Sequence, residues 1–411
     1  MFNKKIGIIT PWFGSFAGGA ERLARGVALE LNKRGITTIV FTTCSLSPYD
    51  SWWQDHHKPG VDEVEGIRTL RFATGKVREP YDAVISKITR GKSLSPSDQE
   101  NFFDYGINSP DLVQALGEYV NDKYELIALP YFHGLTHSVV NEYPNQISLI
   151  PCFHDEAQFY WPATERLLNN SKHIFFNAHE EKQLTIKHYG RRVGRRVVEG
   201  VVTGVGIELP STNGAEANGT IQEGLDPTTR TSQEGWLAPA DRYFVYAGRK
   251  EKGKNVHVLG EWFVEYARQH GGNTKLVFIG GGDESLVPSS EHCVDLGFVS
   301  EATKLDVIKN SMGVINLSEN ESFSIVIMEA WLCGVPSVVS AKCAVTRSHV
   351  SRCNGGLFVS DRDEFCQALK HLEDNEPIRR RLAANGQQYL MREFSFDTVL
   401  SRYLGELERH K

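Results

Sequence analysis

Between Ser322 and Ala341 the chain carries one charge, Glu329, set in an apolar run that reads as a buried helix. Met312 to Leu317 (MGVINL) has the pattern of a parallel strand, 318–322 of a loop, Phe323 to Cys333 of a helix stopped by Gly334, and Pro336 to Ala341 of the next strand. The stretch therefore predicts a βαβ unit with a polar loop at the carboxyl end of its first strand. A buried carboxylate without partners is costly, so Glu329 needs internal donors or a ligand that supplies them. Glu321, eight residues earlier, falls near the helix start, where free backbone N–H groups and the helix dipole favour anions. Either the two acids bracket a polar ligand, or Glu321 is a first-turn acid and Glu329 is paired to a neighbouring arginine.

The same alternation runs along most of the chain. Lys5 to Thr10 (KIGIIT) reads as a strand, Gly14 to Gly19 as a glycine-rich turn, Ala20 to Arg34 as a helix ended by Gly35, and Ile36 to Thr42 as a second strand. Cys44 to Ser109 is less regular. Its Trp52, Trp53, His56 and His57 read as a loop packed by its own aromatics, because no third metal ligand stands at suitable spacing. Alternation resumes with a helix at Asp111 to Val120, strands at Leu126 to Leu129, Ile147 to Ile150 and Ile174 to Phe176, a helix at Ala178 to Tyr189, and a strand at Val197 to Val202. Arg191, Arg192, Arg195 and Arg196 make a basic turn that is solvated by default. Glu208 to Pro239 loses the apolar period and reads as a linker or surface insertion, with a domain boundary near residue 205. The alternation then restarts at Tyr243 to Ala247 and ends in helices at Arg362 to Asp374, Pro377 to Glu393 and Phe396 to His410. The expected architecture is two α/β domains, 1–205 and 241–395, joined through 206–240, with 396–411 a helix returning to the first.

At 411 residues and 40% apolar content each domain can bury a full core. A net charge of -6 argues against a generally nucleic-acid-binding surface. Seven cysteines lie scattered without CxxC spacing, which suggests reduced thiols in a cytoplasmic protein. The apolar part of MFNKKIGIITPWFG is only strand-length, too short for a signal peptide or an anchor, and no stretch has the roughly 20 apolar residues that span a bilayer. Peripheral contact with the inner face of a membrane stays open.

Several loops at predicted strand ends carry chemistry. In GRKEKGKN, Arg249 and Lys254 offer a guanidinium and an ammonium suited to a diphosphate; the alternative is a solvated basic turn. IGGGDE, beginning with Gly280, lets the backbone approach a ligand, as do Gly18 and Gly19 before the first helix. His154, after the strand ending at Ile150, is a hydrogen-bond donor, a proton carrier or a satisfied structural histidine. Asp361 and Asp363 resemble a metal-binding DxD pair, but their place before a helix favours capping.

Taken together, GGAE (18–21), FHD (153–155), GR with Lys254, IGGGDE, GFVS (297–300) and ESFSIVIMEA resemble, in order and spacing, the retaining GT-B glycosyltransferases of family 4. The resemblance covers essentially the whole chain. It implies two Rossmann-like domains facing each other across a crevice, and a nucleotide-sugar donor whose sugar passes to a hydroxyl acceptor. On family frequency the donor is a UDP-sugar. The resemblance further implies that Arg249 and Lys254 hold the diphosphate, Glu329 the ribose hydroxyls and Glu321 the donor sugar. Backbone N–H groups around Phe323, Ser324 and Ile325 would face phosphate and sugar, and Val299 the base. Gly18 and Gly19 would close over the phosphates and His154 would reach the transferred sugar, with no metal or other cofactor required. The chain departs from the family in reading ESFS where glycines often flank the aromatic, and in the length of 208–239. An epimerase or phosphorylase of the same fold and a non-catalytic sugar-nucleotide binder are the competing readings. An NAD enzyme is disfavoured, since Gly14 to Gly19 lacks GxGxxG and no acid closes the second strand.

Overall fold

The computed structural model describes residues 4–14, 18–48, 51–121, 123–208, 242–270 and 272–409. It divides into two compact units, Met1–Gly206 with Phe396–Lys411, and Ile207–Ser395. Most of the expected insertion, and its distinctive composition, lie outside the described residues.

In the first unit, β1 (Lys5–Ile9), α1 (Gly19–Lys33) and β2 (Thr38–Thr43) open the chain as the sequence predicts. The stretch read as irregular then contributes a hairpin, β3 (Gly60–Val64) and β4 (Ile67–Phe72), and two helices, α2 (Glu79–Thr89) and α3 (Pro96–Asp104). β3 is almost wholly exposed, so it has no apolar alternation to announce it. It turns into β4 through Glu65 and Gly66, both at positive φ. α4 (Pro110–Ala115), β5 (Tyr124–Ala128), α5 (Gly134–Glu142), β6 (Ile147–Leu149), α6 (Pro162–Asn170), β7 (Phe175–Phe176), α7 (His179–Tyr189), α8 (Arg195–Glu199) and β8 (Val201–Val202) follow. The first half of the expected strand at 197–202 is therefore the end of a helix, and only Val201–Val202 is strand. Its Val197 is buried in the core as a helical residue.

The first sheet has the order β3-β4-β2-β1-β5-β6, parallel except for β3 against β4. The connections that leave β1 and β5 thus run to opposite sides, toward β2 and β6, which makes a switch point between these two strands. α1 buries Leu23, Ala24, Val27, Ala28 and Leu31, one stripe of a helix, against this sheet. Trp52 and Trp53 stack at 5.8 Å and pack on the cluster of Tyr81, Phe102, Phe103 and Trp161, the self-packed aromatic loop that the sequence predicts.

The second unit comprises β9 (Tyr243–Ala247), α9 (Val256–His270), β10 (Lys275–Ile279), β11 (Cys293–Asp295), α10 (Glu301–Lys309), β12 (Val314–Asn316), α11 (Ile325–Leu332), β13 (Ser337–Ser340), α12 (Ala344–Cys353), β14 (Gly356–Val359), α13 (Arg362–Asp374) and α14 (Glu376–Phe394). Its six strands are all parallel in the order β11-β10-β9-β12-β13-β14, a doubly wound sheet whose switch point lies between β9 and β12. The period of two shows in the core. Tyr243, Val245 and Ala247 join one apolar cluster and Phe244 and Tyr246 the other, on opposite faces of the sheet. Removing a ring such as Phe278, which has no exposed surface, would cost about 3–5 kcal/mol. α12 escapes the sequence reading, because AVTRSHVSRC mixes β-branched and polar residues.

α15 (Phe396–Arg409) belongs to the first unit, where its Tyr403 ring meets Phe175 and its Phe396 ring lies against Gly26 and Gly206. All seven cysteines are free thiols, and no helix among the described residues is long and apolar enough to cross a membrane.

Candidate active site at the strand ends of the second unit

β9 and β12 are neighbours, and their carboxyl ends open into the loops that carry Arg249 with Lys254 and Glu321 with Ser324. Ligands of open α/β sheets bind at such a switch point. The Lys254 Nζ donates to Glu321 Oε1 at 2.9 Å, with side-chain exposures of 25% and 14%. Burial pushes the lysine pKa down, but the charge and hydrogen bond of Glu321 outweigh it and raise the net value, so the ammonium stays charged.

The same Glu321 oxygen accepts from Asn316 Nδ2 at 3.2 Å, and that amide also reaches Ser324 Oγ at 3.0 Å. Asn316 Oδ1 takes the Ser318 N–H at 2.9 Å, so one buried amide at the end of β12 fixes both sides of the loop. Ser324 sits at φ 72°, ψ 78°, the left-handed region where a glycine is unstrained. The departure from the family glycine noted in the sequence is thus a serine held in a glycine conformation by Asn316. Ser324 leads into α11 without a side-chain cap, which leaves the first N–H groups of Ile325 and its neighbours available to an anion. Phe323 is 2% exposed, its ring enclosed by His349 and Phe394, so only its backbone can meet a ligand.

Arg249 is 47% exposed, with Glu251 3.5 Å from its guanidinium. Its neighbour Lys250, which the alternative of a solvated basic turn would leave exposed, is buried. Its Nζ reaches both oxygens of Asp295 at 2.7 and 2.6 Å, and Asp295 also accepts the Gly297 N–H. The close approach that Gly280 permits is made by the chain itself: at φ 128° its Cβ would lie 2.1 Å from the Gly248 carbonyl. The Arg249 loop, the glycine loop and the 295–297 turn are therefore knitted together. Val299 is half-buried in the core beside the exposed Phe298, just before Ser300 caps α10.

Glu329 is buried, and Lys304 Nζ lies 2.8 Å from its Oε1. The expected alternatives were a neighbouring arginine or a ligand; a lysine on α10 answers the burial requirement. Nothing in the spacing of Lys304 announces this contact. Asn316 left a better signal, as a polar residue in a buried apolar strand.

The first unit holds the remaining predicted residues. Gly18 precedes α1, where a Cβ would lie 2.0 Å from Glu21 Oε2, whereas a Cβ on Gly19 would meet nothing within 4 Å, so packing does not demand a glycine there. His154 Nδ1 is 3.6 Å from Glu156 Oε1, which accepts from Tyr131 Oη at 2.6 Å. The loop of His154 is anchored by Glu181, whose oxygens accept the N–H groups of Phe153 at 2.7 Å and Asn177 at 2.5 Å. The basic turn is locally paired. Arg192 meets Glu165, Arg195 meets Glu199, and Arg196 donates to the Ser171 carbonyl. Asp361 caps α13 by accepting the Glu364 N–H, as its position predicts, and no group of three or more acidic, His or Cys residues among the described residues is placed to hold a metal.

Residues 229–389 match the model of the family Glycosyl transferases group 1. No curated protein matches the chain in sequence. Solved structures similar to it include sucrose-phosphate synthase from Thermosynechococcus elongatus, at 16% identity and TM-score 0.65 over 99% of this chain and 98% of that one. Anabaena Alr3699/HepE in complex with UDP and glucose is similar at 14% identity and TM-score 0.65, covering 98% and 99%. The alpha,alpha-trehalose 6-phosphate synthase from Burkholderia multivorans aligns at 11% identity and TM-score 0.69, covering 99% and 97%. The fold is the two-domain α/β GT-B fold, and residues 229–389 carry the pattern of glycosyl transferases group 1.

Proposed function

We propose that the chain is a retaining glycosyltransferase that moves a sugar from a nucleoside diphosphate sugar, most readily a UDP-sugar, to a hydroxyl of a glycan, a lipid-linked or a small-molecule acceptor. The observation that carries this reading is the Lys254–Glu321 pair at the switch point, beside the uncapped start of α11 and the exposed Arg249. A diphosphate there would find two cations and free backbone N–H groups, and a sugar would find a carboxylate already oriented by Asn316. Glu329 would take the ribose hydroxyls, while Val299 and Gly280 would line the base side. In the first unit, Gly18, Gly19 and His154 keep the roles that the family resemblance gives them.

In this reading Arg249 and Lys254 stabilise the negative charge that grows on the departing diphosphate, which lowers the barrier as well as aiding binding. The leaving phosphate oxygen takes the acceptor proton on the same face, so no enzyme nucleophile is needed, in contrast to the carboxylate pair of glycosidases. The two cations supply the charge that a metal supplies elsewhere.

A panel of UDP-, GDP- and ADP-sugars, scored by released nucleotide with purified protein, tests the proposal. Turnover of one donor class, with UDP first, is expected. Binding of NAD with no sugar nucleotide bound or cleaved would sink it.

A further inference from the structure

Glu329 lies in a helix whose flanking residues, Ile327, Met328, Ala330 and Trp331, have no exposed surface and no charge to offer it. Its charged partner comes from another element. Lys304 stands on α10, its side chain 12% exposed, and approaches Glu329 Oε1 at 2.8 Å while also holding exposed Glu301 at 2.8 and 3.0 Å. The backbone N–H of Lys304 bonds the Ser300 carbonyl at 2.9 Å, and the Ser300 hydroxyl accepts the Thr303 N–H. The turn after Val299 therefore sets where Lys304 starts, and Lys304 sets where one oxygen of Glu329 points. A carboxylate offers about four acceptor sites, so an ammonium on one oxygen removes rotameric freedom without using up the acceptor capacity of the group.

We infer that Lys304 is a positioning residue for ribose recognition, orienting the Glu329 carboxylate toward the two ribose hydroxyls of the donor and coupling it to the base-side turn at 297–300. This rests on the reading of Glu329 as the ribose acid. Loss of the ammonium would free the rotation of the Glu329 carboxylate and leave a buried acceptor without its charged donor. The defect should appear only for ligands that carry the hydroxyls.

The test compares UDP with 2′,3′-dideoxy-UDP by titration calorimetry for the wild type, Lys304→Met, Lys304→Arg, Glu329→Gln and the Lys304→Met/Glu329→Gln double variant. Wild type should prefer UDP. Lys304→Met should lose about tenfold in UDP affinity, the size expected for a charge-assisted hydrogen bond, with dideoxy-UDP affinity unchanged. Lys304→Arg should restore most of the preference, and the double variant should be no worse than Glu329→Gln. Equal weakening of both ligands in Lys304→Met, or none, overturns the positioning role while leaving the ribose reading intact if Glu329→Gln still removes the preference. A wild type that binds both ligands equally overturns the ribose reading itself, and one that binds no UDP overturns the donor assignment.

Discussion

Arg249 and Lys254 share one loop but meet different surroundings, and their substitution should separate catalysis from stability. Arg249 is half exposed, with Glu251 3.5 Å from its guanidinium, so Arg249→Ala should leave thermal stability within about 0.5 kcal/mol, as exposed ion pairs do. Turnover should fall by about a hundredfold or more, in the range seen when one group stabilising a transition-state charge is removed. Lys254 is mostly buried against Glu321, and its removal leaves a carboxylate with the Asn316 amide in place of a full charge. Lys254→Ala should therefore lose both activity and about 1–3 kcal/mol of stability. Measuring kcat and urea midpoints side by side checks this, and equal stability of the two variants would show that the Lys254–Glu321 pair is not structural. The spacing of Glu321 and Glu329 and the Arg249–Lys254 loop were legible because each lies within one short stretch of sequence. Lys304 and the Lys250–Asp295 pair were not, since each joins residues 25 or 45 positions apart, and only the folded sheet brings them together.

At the scale of elements, alternation of apolar strands and helices was readable for most strands of the two sheets, although buried β4, α5 and α6 went unread. It failed at β3, which is exposed, and at α12, whose composition favours no one state. The loop of His154 was placed correctly after a strand, but the device that holds it comes from α7. Burial pushes the Glu181 carboxyl up from 4.5 to about 8, although the N–H groups of Phe153, Asn177 and Ala178 pull it down. The unfolded chain therefore releases this proton near pH 4.5, while the folded chain keeps it until about pH 8. The stabilising contribution is complete below pH 4.5 and is lost progressively as pH rises to about 8. His137 works in the opposite sense. Burial lowers its pKa from 6.5 to about 3, so its contribution is lost as pH falls below 6.5. Because the two trends overlap, the informative quantity is the stability of wild type minus that of Glu181→Gln, measured by denaturant titration. It should decrease from pH 5 to pH 8, on top of a constant loss of about 1–3 kcal/mol for a backbone N–H left facing the amide group. A difference that does not change with pH would mean that Glu181 is ionised in the folded chain throughout.

The whole molecule consists of two units, each with its own sheet and its own apolar clusters, and the chain passes between them at 206–207 and 395–396. The division was legible in the sequence because the strand-helix pattern stops and restarts. Every residue assigned here to the nucleoside diphosphate, as distinct from the sugar and the closing glycines, belongs to the second unit. Binding to a folded unit stabilises it by mass action, by about 2.7 kcal/mol when ligand is at 100 times its Kd, which equals about a hundredfold slowing of exchange for amides that open only on unfolding of that unit. Hydrogen exchange with UDP present should therefore slow the core amides of β9, β10, β12 and β13 by up to that factor, with the strongest local protection in 248–255 and 321–329. The core amides of β1, β2 and β5 should slow less, because in the first unit UDP is assigned only the closing contact of Gly18 and Gly19 with its phosphates and lacks the transferred sugar that His154 is assigned to meet. Protection of the first sheet equal to that of the second would mean either that the units unfold together or that the diphosphate is held by both. The Lys254→Ala variant separates these outcomes: if binding is weakened in proportion across both sheets, the units unfold as one, whereas residual protection of the first sheet alone would locate a nucleotide contact there.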